Sequence, residues 1–265
     1  MSNRIFQIKS FFRFVRKAQT RYYIHSPFVF QFAEDLLADR RSYYAFDEIY
    51  KLRKELLKSN EKFEHIDMGA GGQDHNKSSR VLKSVNQLAK HASMPAKYGE
   101  MLFKLVNKYE PKIILELGTC LGIGTAYMAK PSSKNEVHTI EADPFLVQKA
   151  KANFELLNLG NINTYEGNFD VILPRLLAEL HTIDLAFIDG NHQYKPTMGY
   201  YQAIKQKLNE ESIVILDDIH WSSEMEQAWE NIKLDKDISL SIDLYRMGIL
   251  FFRKGRVRED FSLIF

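Results

Sequence analysis

Two stretches put an acidic residue just ahead of a glycine-rich turn: "HIDMGAGGQD" at 65–74 and "ILELGTCLGIGT" at 114–125. A turn that takes a nucleotide needs a buried strand before it and a helix after it. The second stretch has both, in "KIILELG" and "GTAYMAK". Its glycines, Gly118, Gly122 and Gly124, do not follow the G-x-G-x-x-G spacing, and there is no Gly-Lys-Ser/Thr to hold a triphosphate. What remains is a loop whose backbone closely approaches an uncharged or zwitterionic nucleoside. The next strand candidate, "EVHTIEAD", ends in Glu141, placed to accept hydrogen bonds from both ribose hydroxyls. The first stretch follows the charged "KSNEKFEH" and precedes the polar "QDHNKSS". Its Asp67–Gly72 segment reads as an ordinary turn, with Ser78 or Ser79 capping the next helix, or as a lid over substrate.

A second constellation lies further along. The strand candidate "DLAFIDGNH" ends in Asp189, and "IVILDDIH" ends in Asp217 and Asp218. As neighbours in a parallel sheet these strands would bring three carboxylates to one crevice, where like charges repel unless a cation intervenes. Oxygen ligands completed by water and substrate suit Mg²⁺. His192 lies three residues after Asp189. A neutral imidazole needs little pKa adjustment to act as a base, so His192 is the candidate general base. His220 is the runner-up, and Trp221, Tyr194 and Tyr200 are candidate walls of a substrate pocket.

The elements that must position these residues follow a regular alternation from residue 94 onward. Helix "MPAKYGEMLFKLVNKYEP" precedes the first strand, and helix "PFLVQKAKANFELL" follows the second, with Pro144 at its start. Then come strand "INTYEG", helix "DVILPRLLAEL", strand "IDLAFIDG", helix "PTMGYYQAIKQKL", strand "SIVILDD" and helix "SEMEQAWENIK". Such alternation predicts a doubly wound, Rossmann-like α/β fold with a mostly parallel sheet. "LSIDLYR" and "GILFFRK", close together, predict an antiparallel hairpin at its C-terminal edge, making seven strands. Residues 1–93 read as a helical extension or cap ahead of a domain spanning 94–265. Within it "RIFQIKSFFRFVRKAQTR" places Ile5, Ile8, Phe12 and Val15 on one helical face, with Arg4, Lys9, Arg13, Arg16 and Lys17 mostly off it. A basic amphipathic helix of this kind is expected to dock on its own domain or on a second subunit, as in a homodimer. Peripheral contact with a membrane is the alternative.

Composition narrows the function classes. The 265 residues are 45% hydrophobic, with 18 Phe and 13 Tyr, enough for a sizeable core. The 36 basic and 34 acidic residues leave a net charge of +2, so no nucleic-acid partner is expected. The single cysteine, Cys120, excludes an intramolecular disulfide and a cysteine-rich metal site. No apolar run approaches a membrane span. Lys9 and Arg13 break any signal-peptide core, and a cytoplasmic protein is the expectation.

"ILELGTCLGIGTAYMA", "TIEADP", "EGNFDVILPRL", "IDGNH" and "VILDDIHW" occur in an order that resembles the class I S-adenosylmethionine-dependent methyltransferases. The resemblance is to the O-methyltransferase branch that includes catechol O-methyltransferase and related bacterial enzymes, and it covers about 94–255. It implies that Glu116, Gly118, Thr119 and Gly122 surround the methionine end of S-adenosylmethionine and that Glu141 binds its ribose. Asn168, Phe169 and Asp170 would edge the adenine, and Asp189 would also help position the cofactor. Gly124 stands where a hydroxyl residue is common. Metal-dependent relatives hold the ion with acids at the positions of Asp189 and Asp217 and with an amide at that of Asp218; here the amide is a second Asp. A lysine often stands where this chain has His192. "IDGNHQY" lacks the Asn/Asp-Pro-Pro-aromatic tetrad of amino-group methylases, and Cys120 lies in the cofactor loop, so it is not a nucleophile for cytosine methylation. The implied activity is divalent-metal-assisted methyl transfer to a hydroxyl oxygen of a small molecule. A metal-independent enzyme using His192 as its base, and a non-catalytic cofactor-binding protein, are the rival expectations.

Overall fold

The computed structural model describes residues 3–66 and 80–265. The Asp67–Gly72 segment, with Ser78 and Ser79, lies outside the described residues. By contacts the chain divides into two compact units, one made of Met1–Asp39 with Leu180–Phe265, the other of Arg40–Glu179. The first 93 residues are therefore shared between them.

The first unit opens with α1 (Asn3–Lys17) and α2 (Pro27–Phe32), the latter running into a π turn over Ala33–Leu37. The second unit holds α3 (Tyr44–Lys58), β1 (Lys62–Ile66), β2 (Arg80–Ser84), α4 (Val85–His91), α5 (Ala96–Tyr109), β3 (Ile113–Leu117), α6 (Ile123–Ala129), β4 (Glu136–Glu141), α7 (Pro144–Leu156), β5 (Ile162–Glu166) and α8 (Phe169–Glu179). The chain then completes the first unit with β6 (Leu185–Ile188), α9 (Tyr194–Lys205), β7 (Ile213–Leu216), α10 (Ser223–Lys233), β8 (Leu240–Asp243), β9 (Gly248–Phe251) and β10 (Glu259–Ser262).

In the second unit β3, β4 and β5 run parallel in that order. β3 and the middle of β4 are buried on both faces, as parallel strands covered by helices must be: Ile114, Leu115, Leu117, Val137 and Ile140 are all fully buried, whereas β5, at the edge, is only partly covered. Burying each such side chain stabilises the fold by about 1.5–3 kcal/mol. Helix α3 packs on α5 and α6 through rings. Phe46 meets Phe103 edge-on at 5.0 Å and lies 6.1 Å from Tyr127. The close approach of α5 to α6 requires glycine at residue 99, where a Cβ would sit 2.3 Å from the Tyr127 ring.

Residues 62–66 and 80–84 correct the expectation of a wholly helical N-terminal segment, because they pair as an antiparallel two-stranded ribbon. "KFEHI" does not alternate apolar and polar residues, since Phe63 and Ile66 fall on opposite faces of the strand, so it carries no strand signal. Phe63 and His65 both work on the second unit. Phe63 stacks on Phe145 at 4.0 Å, and His65 Nδ1 lies 2.8 Å from Asp143 Oδ2.

In the first unit the strand order is β10-β8-β9-β7-β6. β6 and β7 are parallel, and β9 is antiparallel to both β7 and β8, the expected hairpin. Beyond that hairpin lies β10, parallel to β8, a strand that the charged "EDFS" did not announce. Trp229 on α10 is fully buried against β9, where a Cβ on Gly248 would meet its ring at 2.5 Å.

Helix α1 docks within the first unit, but not by the face that its periodicity suggested. The buried side carries Ser10 and Phe14, whereas Ile5, Ile8, Phe12 and Val15 are exposed. No helix among the described residues is long and apolar enough to cross a membrane.

Candidate functional site

The expected cofactor residues of the second unit meet at the C-terminal ends of its parallel strands. Backbone bonds tie the three tips together: Gly118 N–H donates to Ile140 O at 3.0 Å, and Gly167 N–H to Glu141 O at 2.9 Å. The loop after β3 turns through left-handed backbone at Gly118 (φ 103°), Cys120 (φ 50°) and Gly122 (φ 77°). At Gly122 a Cβ would also lie 2.5 Å from the Phe154 ring, so glycine is required twice over.

Glu141 organises this loop. Its Oε2 accepts from Cys120 N–H at 2.9 Å, and its Oε1 from Ala142 and Asp143 N–H at 2.8 and 3.0 Å. A carboxylate offers about four acceptor directions, and three are engaged. Holding both hydroxyls of a ribose in full therefore means releasing one backbone bond. Burial pushes the Glu141 carboxyl up, against the pull of these backbone donors.

Glu116 lies beneath the loop, fully buried. The β3–β4 register sets it opposite Thr139, whose hydroxyl donates to Oε2 at 2.6 Å, and Thr125 donates to the same oxygen. Its Oε1 lies 3.3 Å from where a Cβ on Gly124 would be, so the glycine leaves room for the carboxyl. Thr119 is also buried, hydrogen-bonded to Thr139 through their hydroxyls. Both residues brace the loop from below. Asn168 caps α8, its Oδ1 accepting from Asp170 N–H at 2.8 Å. Phe169 is half-buried and Asp170 exposed.

Burial, only partly opposed by the two threonines, pushes the Glu116 carboxyl from 4.5 up to about 7. Between these values the unfolded chain releases the proton while the folded one keeps it. Stability therefore falls as pH rises through this window, by about 3 kcal/mol in all. Glu116→Gln removes the titration. Its melting temperature should gain on that of the parent between about pH 5 and about pH 8; a difference independent of pH would refute the assignment.

The first unit gathers the other expected residues. Asp217 N–H donates to Ile188 O at 3.0 Å, tying the ends of β6 and β7. The β7–β9 and β8–β9 registers both end at Gly248, which sets the turn between β8 and β9 beside Asp217. From that turn comes Arg246, a residue that sequence reasoning missed. Its Nε lies 3.0 and 3.2 Å from the two Asp217 oxygens, and one terminal nitrogen lies 2.7 Å from Oδ2. Asp218 Oδ1 is 3.7 Å from the same nitrogen. Desolvation opposes the guanidinium charge, but Asp217, Asp218 and Asp189 outweigh it and hold Arg246 above its ordinary value. Burial, then Asp218, push the fully buried Asp217 carboxyl up, and the arginine fork opposes them. The bidentate geometry belongs to an ionised pair.

Asp189, Asp217 and Asp218 therefore do not fit Mg²⁺ as arranged here. Both Asp217 oxygens serve the guanidinium, which already supplies the cation that three converging acids demand. Among the described residues no group of three His, Cys, Asp or Glu is placed to hold a metal.

His192 stands on the loop after β6 in left-handed backbone (φ 35°), following Asn191 (φ 66°). Its Nε2 is 3.7 Å from Asp189 Oδ1 and its side chain is 27% exposed. Desolvation lowers its pKa below the ordinary 6.5; Asp218 opposes this and Arg246 adds to it. The imidazole is thus neutral near pH 7 and remains reachable.

His220 is neither. Its Nε2 lies 3.0 Å from Asp243 Oδ2 and its Nδ1 3.0 Å from Ser10 Oγ, with Tyr245 stacked on the ring at 5.2 Å. The Ser–His–Asp order suggests a nucleophilic triad, but Ser10 is only 1% exposed. The arrangement is a bracket holding α1 to the loop after β7. Tyr200 is likewise buried, its hydroxyl accepting from Asn191 at 3.1 Å. Tyr194 accepts from Asn231 at 2.7 Å. Trp221 is exposed.

Residues 115–219 match the family model described as a methyltransferase domain. A catechol O-methyltransferase from Niastella koreensis is 29% identical over 169 residues, which cover 61% of this chain and 75% of that protein. Two solved structures share the fold. One is the methyltransferase PaMTH1 of Podospora anserina bound to SAH, with TM-score 0.60, 14% identity and coverage of 87% of this chain and 97% of that one. The other is an O-methyltransferase of Bacillus cereus in complex with SAH, with TM-score 0.53, 16% identity and coverage of 84% and 96%.

Proposed function

We propose that the chain is a class I S-adenosylmethionine-dependent methyltransferase, in keeping with its match over residues 115–219, and that it transfers a methyl group to a hydroxyl oxygen of a small molecule, with His192 as general base and no metal. The observation that carries the metal-free form is the Asp217–Arg246 pair. It stabilises the acid cluster internally and leaves His192 as the neutral base beside it.

S-Adenosylmethionine supplies an electrophilic methyl on a sulfonium, and the residues of the second unit suit its parts. The left-handed turn at Gly118 and Gly122 lets backbone approach the methionine end. Glu141 offers acceptors to the ribose, and Asn168, Phe169 and Asp170 edge the adenine. On the first unit His192 takes the proton of the acceptor hydroxyl, which is a poor nucleophile at neutral pH until deprotonated. The Arg246 charge favours the oxyanion so formed. Asp189, 3.7 Å from His192 Nε2, favours the imidazolium that results.

Calorimetry with S-adenosylmethionine tests the cofactor half. Glu141→Gln should weaken binding by about 1.5–3 kcal/mol, the range for a hydrogen bond to a charged group. Unchanged affinity would remove Glu141 from the site. Turnover tests the rest. Catechol is the first acceptor to try, given the name of the Niastella koreensis relative, followed by other phenols. Cofactor binding without methylation of any hydroxyl acceptor would leave a non-catalytic binder. Activity abolished by EDTA and restored by Mg²⁺ would overturn the metal-free form.

A further inference from the structure

We infer that α1 is a docking surface for an anionic lipid bilayer, with the helix lying in the membrane interface. The helix presents two faces with different jobs. Its inner face is committed to the first unit. Ser10 Oγ bonds His220, Gln7 Nε2 donates to Trp221 O at 3.0 Å, Tyr245 donates its hydroxyl to Gln7 O at 2.9 Å, and Phe14 is buried. Its outer face is an apolar stripe at helical spacing: Ile5, Ile8, Phe12 and Val15 are 47, 58, 64 and 44% exposed. An ordinary surface helix turns such a stripe to the core and its polar residues to water. Here the polar Ser10 is inside and the stripe is outside, so the stripe is left for a partner.

Charge selects the partner. Between Asn3 and Lys17 there are five basic residues, Arg4, Lys9, Arg13, Arg16 and Lys17, and no acidic one. At 100° per residue Arg4, Lys9 and Arg16 flank the stripe. Arg13 lies further round and pairs with Glu226 at 2.8 Å. An apolar face edged with cations is what an interfacial helix offers to acyl chains and anionic headgroups. A second copy of the chain fits less well. A two-fold interface sets the same patch against itself, bringing the flanking cations of one helix towards those of the other with no acid on either helix to separate them.

The experiment is co-sedimentation of the full chain with vesicles of phosphatidylcholine alone and of phosphatidylcholine with phosphatidylglycerol. The chain should pellet with the mixed vesicles and at least tenfold less with the neutral ones, and added salt should release it. Ile8→Glu with Phe12→Glu should abolish binding, and Lys9→Glu with Arg16→Glu should weaken it at least tenfold. None of these four side chains is on the inner face, so thermal melts should match the parent. Three outcomes overturn the inference: no pelleting with the anionic vesicles; equal binding by the stripe variant; or a solution dimer that the stripe variant dissociates without any vesicle binding, which assigns the stripe to a second copy. Methyltransferase activity enters none of these readouts, so the result stands apart from the proposed reaction.

Discussion

Replacing Arg246 by methionine should destabilise the protein by about 3–5 kcal/mol, the cost of leaving a buried carboxylate without its partner. Asp217 has no exposed surface, and both its oxygens bond the guanidinium. Methionine matches the length of the arginine stem but returns no charge. Asp218 then adds repulsion to the desolvation that Asp217 already bears. Denaturant unfolding of the single variants and of Asp217→Asn with Arg246→Met completes a double-mutant cycle. The double variant should recover much of the loss, because an amide is far less costly to bury than an unpaired carboxylate. A loss below about 1 kcal/mol for Arg246→Met, the size of a surface pair, would mean that water or another cation can stand in for the arginine.

His192→Ala should lower kcat by about 10²–10⁴-fold, the usual worth of a positioned general base. The base works unprotonated, and burial favours that form. Activity should therefore be flat near neutral pH and fall on acidification through a pKa below 6.5. The variant should lose that limb along with its rate. Because His192 holds a positive φ, which asparagine tolerates better than most residues, His192→Asn is the companion variant that spares the backbone. Alanine and asparagine should be slow alike. A normal rate in either, or a limb above 6.5 in the parent, would move the base elsewhere.

What could be read in the sequence divides along physical lines. β3, β6 and β7 announce themselves because strands buried on both faces are near-continuous apolar runs, and the acids at their ends stand out by contrast. The loop at Gly118 is preferred to the Asp67–Gly72 segment for its flanking elements, yet β1 runs directly up to Asp67, and the segment itself lies outside the described residues. Arg246 left no such mark. Its role rests on a turn that strand register carries beside Asp217, 29 residues away, and one arginine in "LYRMG" looks like any other. The β1–β2 ribbon was obscured because "KFEHI" and "RVLKS" are short, charged and without a period-two pattern. In α1 the periodicity located the apolar face correctly. It could not say which face docks, because the docking rests on hydrogen bonds from Ser10 and Gln7 to groups more than 200 residues away.

The interleaving of the two units sets an order of assembly. The second unit is one continuous stretch, so its contacts can close once residue 179 is made. The first unit needs two segments, one on either side of the second in sequence. Gln19 pairs with Leu263, and the Ser10–His220 bond spans 210 residues, a closure costing about 2 kcal/mol more than a 20-residue loop. At a synthesis rate of about 5–20 residues per second, the remaining 86 residues take roughly 4–17 s. Through that interval α1, made long before β6, has no dock. Its oily stripe and its cations stand uncovered before the unit that anchors them exists, so a helix made early is among the last to be fixed.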